Sequence, residues 1–277
     1  MSALWRSTHP EPTAGVTAVL GLLAVTAGAR WRTVPLAAAV LTNQLSIGWD
    51  NDALDAVRDT RNARTDKPIA AGELSVTTVR RSALVAAASC ALLSATLGRR
   101  AAVANLTCVA SGWVYNHHAK VTIFSVLPYL VGFAALPATV PLTLGVRVPR
   151  WLPASGALLG AAAHFANVVP DIEEDLLDGV RGLPQRLGAP ASRTAFAGLL
   201  VAATAVLAVG SQRSSRRGAG AGPAAANAGV VLAAGGLAGI GLARTLRQPG
   251  SRALFRTAIG VVLADVVLLV ARGGSIR

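Results

Sequence analysis

The chain has 277 residues, of which 53% are hydrophobic and 14% are charged, and its mean hydropathy is +0.52. This composition leaves too little polar surface to cover a water-soluble protein of this size, so it excludes an ordinary soluble globule and predicts an integral membrane protein. The net charge of +13 comes from basic residues scattered among the connections between apolar runs. That pattern favours anionic lipid headgroups and phosphorylated substrates, rather than nucleic acid, as partners.

Nine apolar runs of about the length that crosses a bilayer follow one another along the chain. They lie at 12–29, 33–50, 76–97, 101–116, 121–140, 152–170, 191–210, 224–243 and 253–271. We expect the first run to be retained as a span, because no small-residue cleavage pattern follows it. The sequence therefore predicts an all-α polytopic membrane protein whose single domain covers residues 1–277.

Acidic residues are concentrated in two windows that follow the second and sixth runs. Eleven of the 13 lie there, namely Asp50, Asp52, Asp55, Asp59, Asp66 and Glu73, then Asp171, Glu173, Glu174, Asp175 and Asp178. Four spans separate the windows, so both face the same side of the membrane. Lys and Arg number 15 on that side and 11 on the other. The difference favours a cytoplasmic location for both windows in a multi-pass protein of the cell membrane.

The spacing within each window places a set of carboxylate and amide side chains on one helix face. The two sets are Asn51, Asp55 and Asp59, and Asp171, Asp175 and Asp178. Like charges at this spacing repel each other, so a positive group should neutralise them. Mg²⁺ fits best, since it takes carboxylate oxygens and completes its shell with water and phosphate oxygens. The alternative is that these are solvated surface acids, and two matched windows on one side disfavour it.

Basic residues accompany the acids of the first window, at Arg58, Arg61, Arg64 and Lys67. They either solvate the connection, set the topology, or bind phosphate oxygens directly. The sequence leaves these three interpretations open.

Four segments of the sequence together resemble the UbiA-type intramembrane prenyltransferases. Asn51-Asp52-x-x-Asp55-x-x-x-Asp59 fills every fixed position of that family's first aspartate motif, and Asp171-x-x-x-Asp175 resembles the second. The segment from Lys67 to Gly72, KPIAAG, is similar to the Lys/Arg-Pro-Leu-Ala-x-Gly that follows the first motif. Tyr115-Asn116-x-x-x-Lys120 is similar to the family's Tyr-x-x-x-x-Lys segment. The second window, DIEEDLLDG, departs from the family pattern after its aspartates.

The resemblance implies about nine transmembrane helices around a central cavity, capped by two motif-bearing loops. It also implies Mg²⁺-dependent transfer of a prenyl group from a polyprenyl diphosphate to an aromatic or other lipophilic acceptor. On this basis we expect Asp55, Asp59, Asp171 and Asp175 to bind metal, and Tyr115 to stabilise the carbocation or orient the acceptor. The residues expected to contact substrate are Asn51, Asp52, Arg58, Lys67, Asn116, Lys120 and Asp178.

Three other functions are compatible with parts of this pattern. A terpene cyclase of the same family would ionise the same diphosphate and quench the cation intramolecularly. A related enzyme would transfer a phosphoribosyl group to a lipid phosphate. An ion-coupled transporter is disfavoured, because transporters place their acids near the bilayer midplane and most acids here lie at span ends.

Three titratable residues outside the aspartate motifs stand apart. His117 and His118 are adjacent, so a regular helix cannot direct both at one metal ion. Asp265 lies in the middle of the last run, where an ionisable group is either functional or paired. Its isolation predicts pairing with a Ser, an Arg or a backbone group inside the bundle.

Overall fold

The computed structural model describes residues 2–215 and 253–271, together with isolated positions between 233 and 247. Every regular element among these residues is helical, which confirms the predicted all-α class. The α-helices are α1 (Ala3–Arg6), α2 (Pro10–Thr26), α3 (Thr33–Arg61), α4 (Val76–Thr96), α5 (Arg99–His117), α6 (Leu127–Thr143), α7 (Trp151–Val168), α8 (Ile172–Leu177), α9 (Leu183–Ser215) and α10 (Ala253–Ala271). Short 3-10 turns occupy Arg30–Arg32, Ala119–Val121 and Val169–Asp171.

Three helical stretches of the described residues are long and apolar enough to cross a bilayer by length and composition. They are Val76–Thr96, Trp151–Leu177 and Leu183–Ser211, and Leu127–Thr143 is a shorter apolar helix. The number of spans therefore remains a prediction. The run predicted at 224–243 falls largely outside the described residues.

Helix α3 is longer than the apolar run that predicted it, because it continues into the first acidic window as far as Arg61. Arg58 and Arg61 lie in its last turn, where cations interact favourably with the carbonyl end of a helix. Ala63 then adopts a positive φ of 50° and turns the chain away. The first motif is thus carried by a helix, and the connection that follows it starts at Asn62.

Close packing between α6 and α7 depends on two glycines. A Cβ atom at Gly156 would overlap the carbonyl oxygen of Phe133, and one at Gly160 would overlap that of Tyr129. Small residues let helices in a membrane approach closely. This packing brings the aromatic side chains of α6 and the face of α7 into one wall.

A cavity of about 270 Å³ lies among the helices, with walls formed by α2, α3, α5, α6, α7, α9 and α10. Asn51, Tyr115 and Asn116 line its end at the aspartate motifs, while Leu23 and Trp151 lie at the other end. The central cavity predicted from the resemblance is present, and it ends one helical turn from Asp55.

Candidate active site

Arg58 joins the two aspartate motifs. Its Nη2 donates to Asp55 Oδ2 at 3.2 Å on α3, and its Nη1 donates to Asp175 Oδ1 at 3.0 Å on α8. Lys120 Nζ also donates to both oxygens of Asp55, at 2.7 and 2.6 Å. Residues from three of the four recognised sequence segments therefore meet around two carboxylates, and the Arg58 guanidinium contacts both of them.

The second motif is held by side chains of α9 and of the end of α3, and two of them, Asn62 and Gln185, were not predicted. Gln185, in the first turn of α9, donates from Nε2 to Asp175 Oδ2 at 2.8 Å. Asp178 accepts from Arg61 Nη2 at 2.9 Å and from Asn62 Nδ2 at 2.8 Å. No motif or spacing points to Asn62 or Gln185, because their roles depend on where α8 docks against α3 and α9.

Asp171, Asp175 and Asp178 do not lie on one continuous helix. Asp171 ends a 3-10 turn and precedes α8, Asp175 lies within α8, and Asp178 follows its last residue. Asp171 is within electrostatic range of Asp175 and of the Arg64 guanidinium. The second window is thus a short helix with an acid at each end, and it places Asp175 nearest to the first motif's Arg58.

Asp52 and Lys67 form an ion pair beneath the connection that follows α3. Lys67 Nζ donates to Asp52 Oδ1 at 2.9 Å and lies 3.4 Å from His9 Nε2. Asp52 is 1% exposed, and among the residues that the structure describes its Oδ2 has no hydrogen-bond partner. Asp59 is also buried, within electrostatic range of Lys67. The basic residue expected to bind phosphate therefore lies among the acids of the first motif.

Amide and aromatic side chains form the cavity wall next to the motifs. Asn51 Nδ2 donates to Asn116 Oδ1 at 3.4 Å, and Asn116 Nδ2 donates to Asp50 Oδ2 at 2.8 Å. Tyr115 is buried edge-on against Tyr129, with 5.0 Å between ring centroids, and both rings line the cavity. Tyr129 and Asp50 were not predicted as site residues, since neither belongs to a recognised segment.

His117 pairs with an acid instead of sharing a ligand with His118. Its Nε2 lies 3.1 Å from Asp50 Oδ1, and its ring is tilted 44° from that of His118. This agrees with the expectation that adjacent histidines do not converge on one metal ion.

The connection between α3 and α4 carries the Arg64–Asp66 pair. Arg64 Nε and Nη2 donate to the two carboxylate oxygens at 3.0 and 3.1 Å. These hydrogen bonds lower the pKa of Asp66, against the opposing effect of its partial burial. Arg64 Nη1 also lies 3.4 Å from Glu174 Oε2. The pair links this connection to α8. Together the connection and α8 form a cap over the aspartate motifs, and the pair lies on the solvent side of that cap.

The donor set fits Mg²⁺ in its chemistry. Within the described ranges, no three His, Cys, Asp or Glu side chains converge into a metal centre. Arg58 and Lys120 lie between the carboxylates, where they supply the positive charge that the acids require. All donors are carboxylate oxygens, the ligand type that Mg²⁺ prefers. Asp52 Oδ2 is a buried oxygen to which no described residue donates a hydrogen bond.

Asp265 lies apart from both motifs, on α10. Thr204 Oγ1 donates to Asp265 Oδ2 at 2.9 Å, so the residue is paired inside the bundle as predicted. The predicted types of partner were wrong, because the face of α9 that packs there presents a threonine.

The fold and the site together define a class of protein: a helical bundle whose apolar cavity ends at two facing aspartate motifs. The model of the UbiA prenyltransferase family matches residues 14–254. The chain belongs to that family. No curated protein sequence matches it.

Several solved structures share this fold. A UbiA homologue from Archaeoglobus fulgidus bound to DMAPP and Mg²⁺ has a TM-score of 0.69 at 15% identity, covering 98% of this chain and 99% of its own. The apo structure of a UbiA homologue from Aeropyrum pernix K1 has a TM-score of 0.67 at 19% identity, covering 91% and 97%. A digeranylgeranylglyceryl phosphate synthase has a TM-score of 0.65 at 14% identity, covering 98% and 97%.

Proposed function

We propose that this protein transfers a prenyl group from an allylic polyprenyl diphosphate to a lipophilic acceptor within the membrane, with Mg²⁺ as cofactor. One observation carries the proposal: the apolar cavity ends at Asn51, one helical turn from Asp55, and Arg58 joins the Asp55 carboxylate to that of Asp175 on a separate helix. A cavity lined mainly by apolar side chains suits a hydrocarbon chain, and carboxylates near its end suit a diphosphate that is bound through a metal ion. The Archaeoglobus fulgidus structures that contain Mg²⁺ with DMAPP or GPP support this assignment.

Asp55, Asp59, Asp171 and Asp175 are the residues that would hold the metal. Bound Mg²⁺ supplies Lewis-acid stabilisation of the negative charge that the departing diphosphate acquires. Asn51 and Asp178 lie next to this set and would orient the carboxylates or the substrate, as the resemblance suggests. The buried Asp52 would keep Lys67 within reach of the diphosphate, through the 2.9 Å ion pair.

Arg58, Lys67 and Lys120 are the candidate diphosphate ligands. Each donates to an aspartate in the structure, so each is pre-positioned at the site and its charge is already balanced. On substrate binding their N–H groups would donate to phosphate oxygens, which form strong charge-assisted hydrogen bonds. In the reaction the allylic C–O bond breaks and its electron pair leaves with the diphosphate. The acceptor's nucleophilic atom then forms the new bond to carbon and loses a proton.

Tyr115 and Tyr129 form the wall that the reacting carbon would meet. Aromatic faces attract a developing positive charge, most strongly where water is excluded. Tyr115 is 7% exposed and lies directly before Asn116 at the motif end of the cavity. We infer that these rings stabilise the electron-poor allylic carbon and keep water away from it, while Asn116 helps to position the substrate.

The experiment that tests the proposed function follows both products of the reaction. The purified protein is incubated with allylic diphosphates of several chain lengths, with and without an acceptor extract, and diphosphate and lipid products are measured by mass spectrometry. We expect turnover to rise when acceptor is added. Fast diphosphate release that yields a cyclic hydrocarbon or alcohol, and does not respond to acceptor, would identify a terpene cyclase instead.

The metal assignment is tested by removal and by substitution. We expect a chelator to abolish turnover and Mg²⁺ or Mn²⁺ to restore it. Asp55→Asn and Asp171→Asn should each lose most of the turnover, because an amide keeps the shape of the side chain but not its charge. Asp66→Asn is the matched control, since Asp66 pairs with Arg64 on the solvent side of the cap. Full turnover in either motif variant would show that these residues do not bind metal.

A further inference from the structure

Asp265 places a carboxyl group in the apolar wall of the cavity, away from both aspartate motifs. It lines the cavity beside Val262 and Val266 on α10, and it is 2% exposed. Nine residues earlier on the same helix, Arg256 pairs with Glu11 at the start of α2. At the α-helical rise, Asp265 lies about 14 Å deeper along the bundle than that pair.

The hydrogen bonding of Asp265 is incomplete. Thr204 Oγ1 donates to Oδ2, and in the part of the chain that the structure describes Asp265 has no other hydrogen bond and no ion pair. A carboxyl group carries two oxygens with about four acceptor sites when ionised. Oδ1 therefore keeps its acceptor capacity, in either protonation state, on a side chain that faces the cavity.

A carboxyl group in an apolar wall destabilises the fold unless it is hydrogen-bonded. Removing a polar group from water without a compensating partner is unfavourable, and one threonine hydroxyl satisfies only part of the carboxyl group. An aliphatic residue such as the neighbouring Val262 would fill the same wall without that cost. Ionisable groups inside membrane bundles are accordingly rare, and they mark functional positions.

We propose that Asp265 is a recognition residue for the lipophilic acceptor, and that it accepts a hydrogen bond from an O–H or N–H group of that molecule. The inference rests on the proposed function, which places both substrates in this cavity. The chain of an allylic prenyl diphosphate is a hydrocarbon and carries no donor. A phosphate or diphosphate group belongs at the motif end of the site, beside Arg58 and Lys120. The acceptor is thus the molecule that can donate to Asp265, so its class is a lipid-soluble alcohol, phenol or amine.

The test compares two probes that differ in one donor group, 4-nonylphenol and its methyl ether. Their binding to the purified full-length chain, without diphosphate, is measured by native mass spectrometry. We expect the wild type to prefer the phenol about two- to tenfold, the range for one hydrogen bond. Asp265→Leu should abolish the preference while still binding the ether, and Asp265→Asn, which keeps an acceptor oxygen, should retain part of it. Val262→Ala alters the same wall without touching the carboxyl, so it should keep the preference.

Two results would overturn the proposal. One is a wild type that binds the phenol and the ether equally, and the other is an Asp265→Leu variant that still prefers the phenol. Either would leave Asp265 as a hydrogen-bonding link between α9 and α10. Binding of geranyl diphosphate with Mg²⁺ to the wild type is measured separately. If that binding fails while the phenol preference behaves as expected, the proposed function is wrong and the donor-binding role of Asp265 stands.

Discussion

Replacing Arg58 by leucine tests whether this guanidinium holds the two aspartate motifs together. The change removes two charge-assisted hydrogen bonds, to Asp55 at 3.2 Å and to Asp175 at 3.0 Å. Hydrogen bonds to charged groups contribute about 1.5–3 kcal/mol each when they are well buried. The Arg58 side chain is 24% exposed, and Lys120 and Gln185 still donate to the two carboxylates. We therefore expect a net loss of about 2 kcal/mol in the free energy of unfolding.

The assay is thermal unfolding of the purified protein, where a loss of this size lowers Tm by about 5 °C. Arg61→Leu is the matched control, because it makes the same substitution one turn later on α3. Arg61 is 64% exposed, and its ion pair with Asp178 leaves the guanidinium open to solvent. Exposed ion pairs contribute about 0–1 kcal/mol, so this variant should unfold close to the wild type.

Mg²⁺ supplies the second readout. In the wild type a metal ion that binds Asp55 and Asp175 competes with Arg58 for both carboxylates. In Arg58→Leu that cation is gone, although Lys120 still pairs with Asp55. Ligands stabilise the folded state in proportion to their binding free energy. The rise in Tm on adding Mg²⁺ should therefore be larger in the variant. An equal rise in Tm in the wild type and in Arg58→Leu would refute the bridging role of Arg58. An equal loss of Tm in Arg58→Leu and Arg61→Leu, measured without Mg²⁺, would refute it too.

Two further predictions concern the cap. Single cysteines at Ala63 and Leu183 should be labelled from the same side of sealed vesicles, and a cysteine at Arg147 from the other side; opposite labelling of the first two would end the shared-site model. Arg64 lowers the pKa of Asp66 in the folded state. The pair therefore stabilises the fold fully above the unfolded pKa of about 3.9, and this stabilisation is lost as the pH falls through the lower folded pKa. A ¹³C NMR titration of the Asp66 carboxyl should therefore have its midpoint at lower pH than in Arg64→Gln, and identical midpoints would contradict the assignment.

The sequence alone determined the class of fold and the positions of the candidate ligands. Composition excludes a soluble globule, because apolar residues of this abundance cannot all be kept from water within one chain of this length. The spacing of Asn51, Asp55 and Asp59 places them on one helix face, and α3 has them on a single helix. The first inference depends on amino-acid composition and the second on residue spacing along the chain, and folding alters neither.

Tertiary structure decided which charges meet. Arg58 and Asp175 are 117 positions apart in the chain, and Thr204 and Asp265 are 61 apart. Gln185 reaches Asp175 because α9 breaks at Gly188, where a φ of 77° redirects its first turn. None of these pairs has a sequence signature. Each depends on the angle and depth at which two helices dock, and those are set by side-chain volumes along the whole interface, as at Gly156 and Gly160.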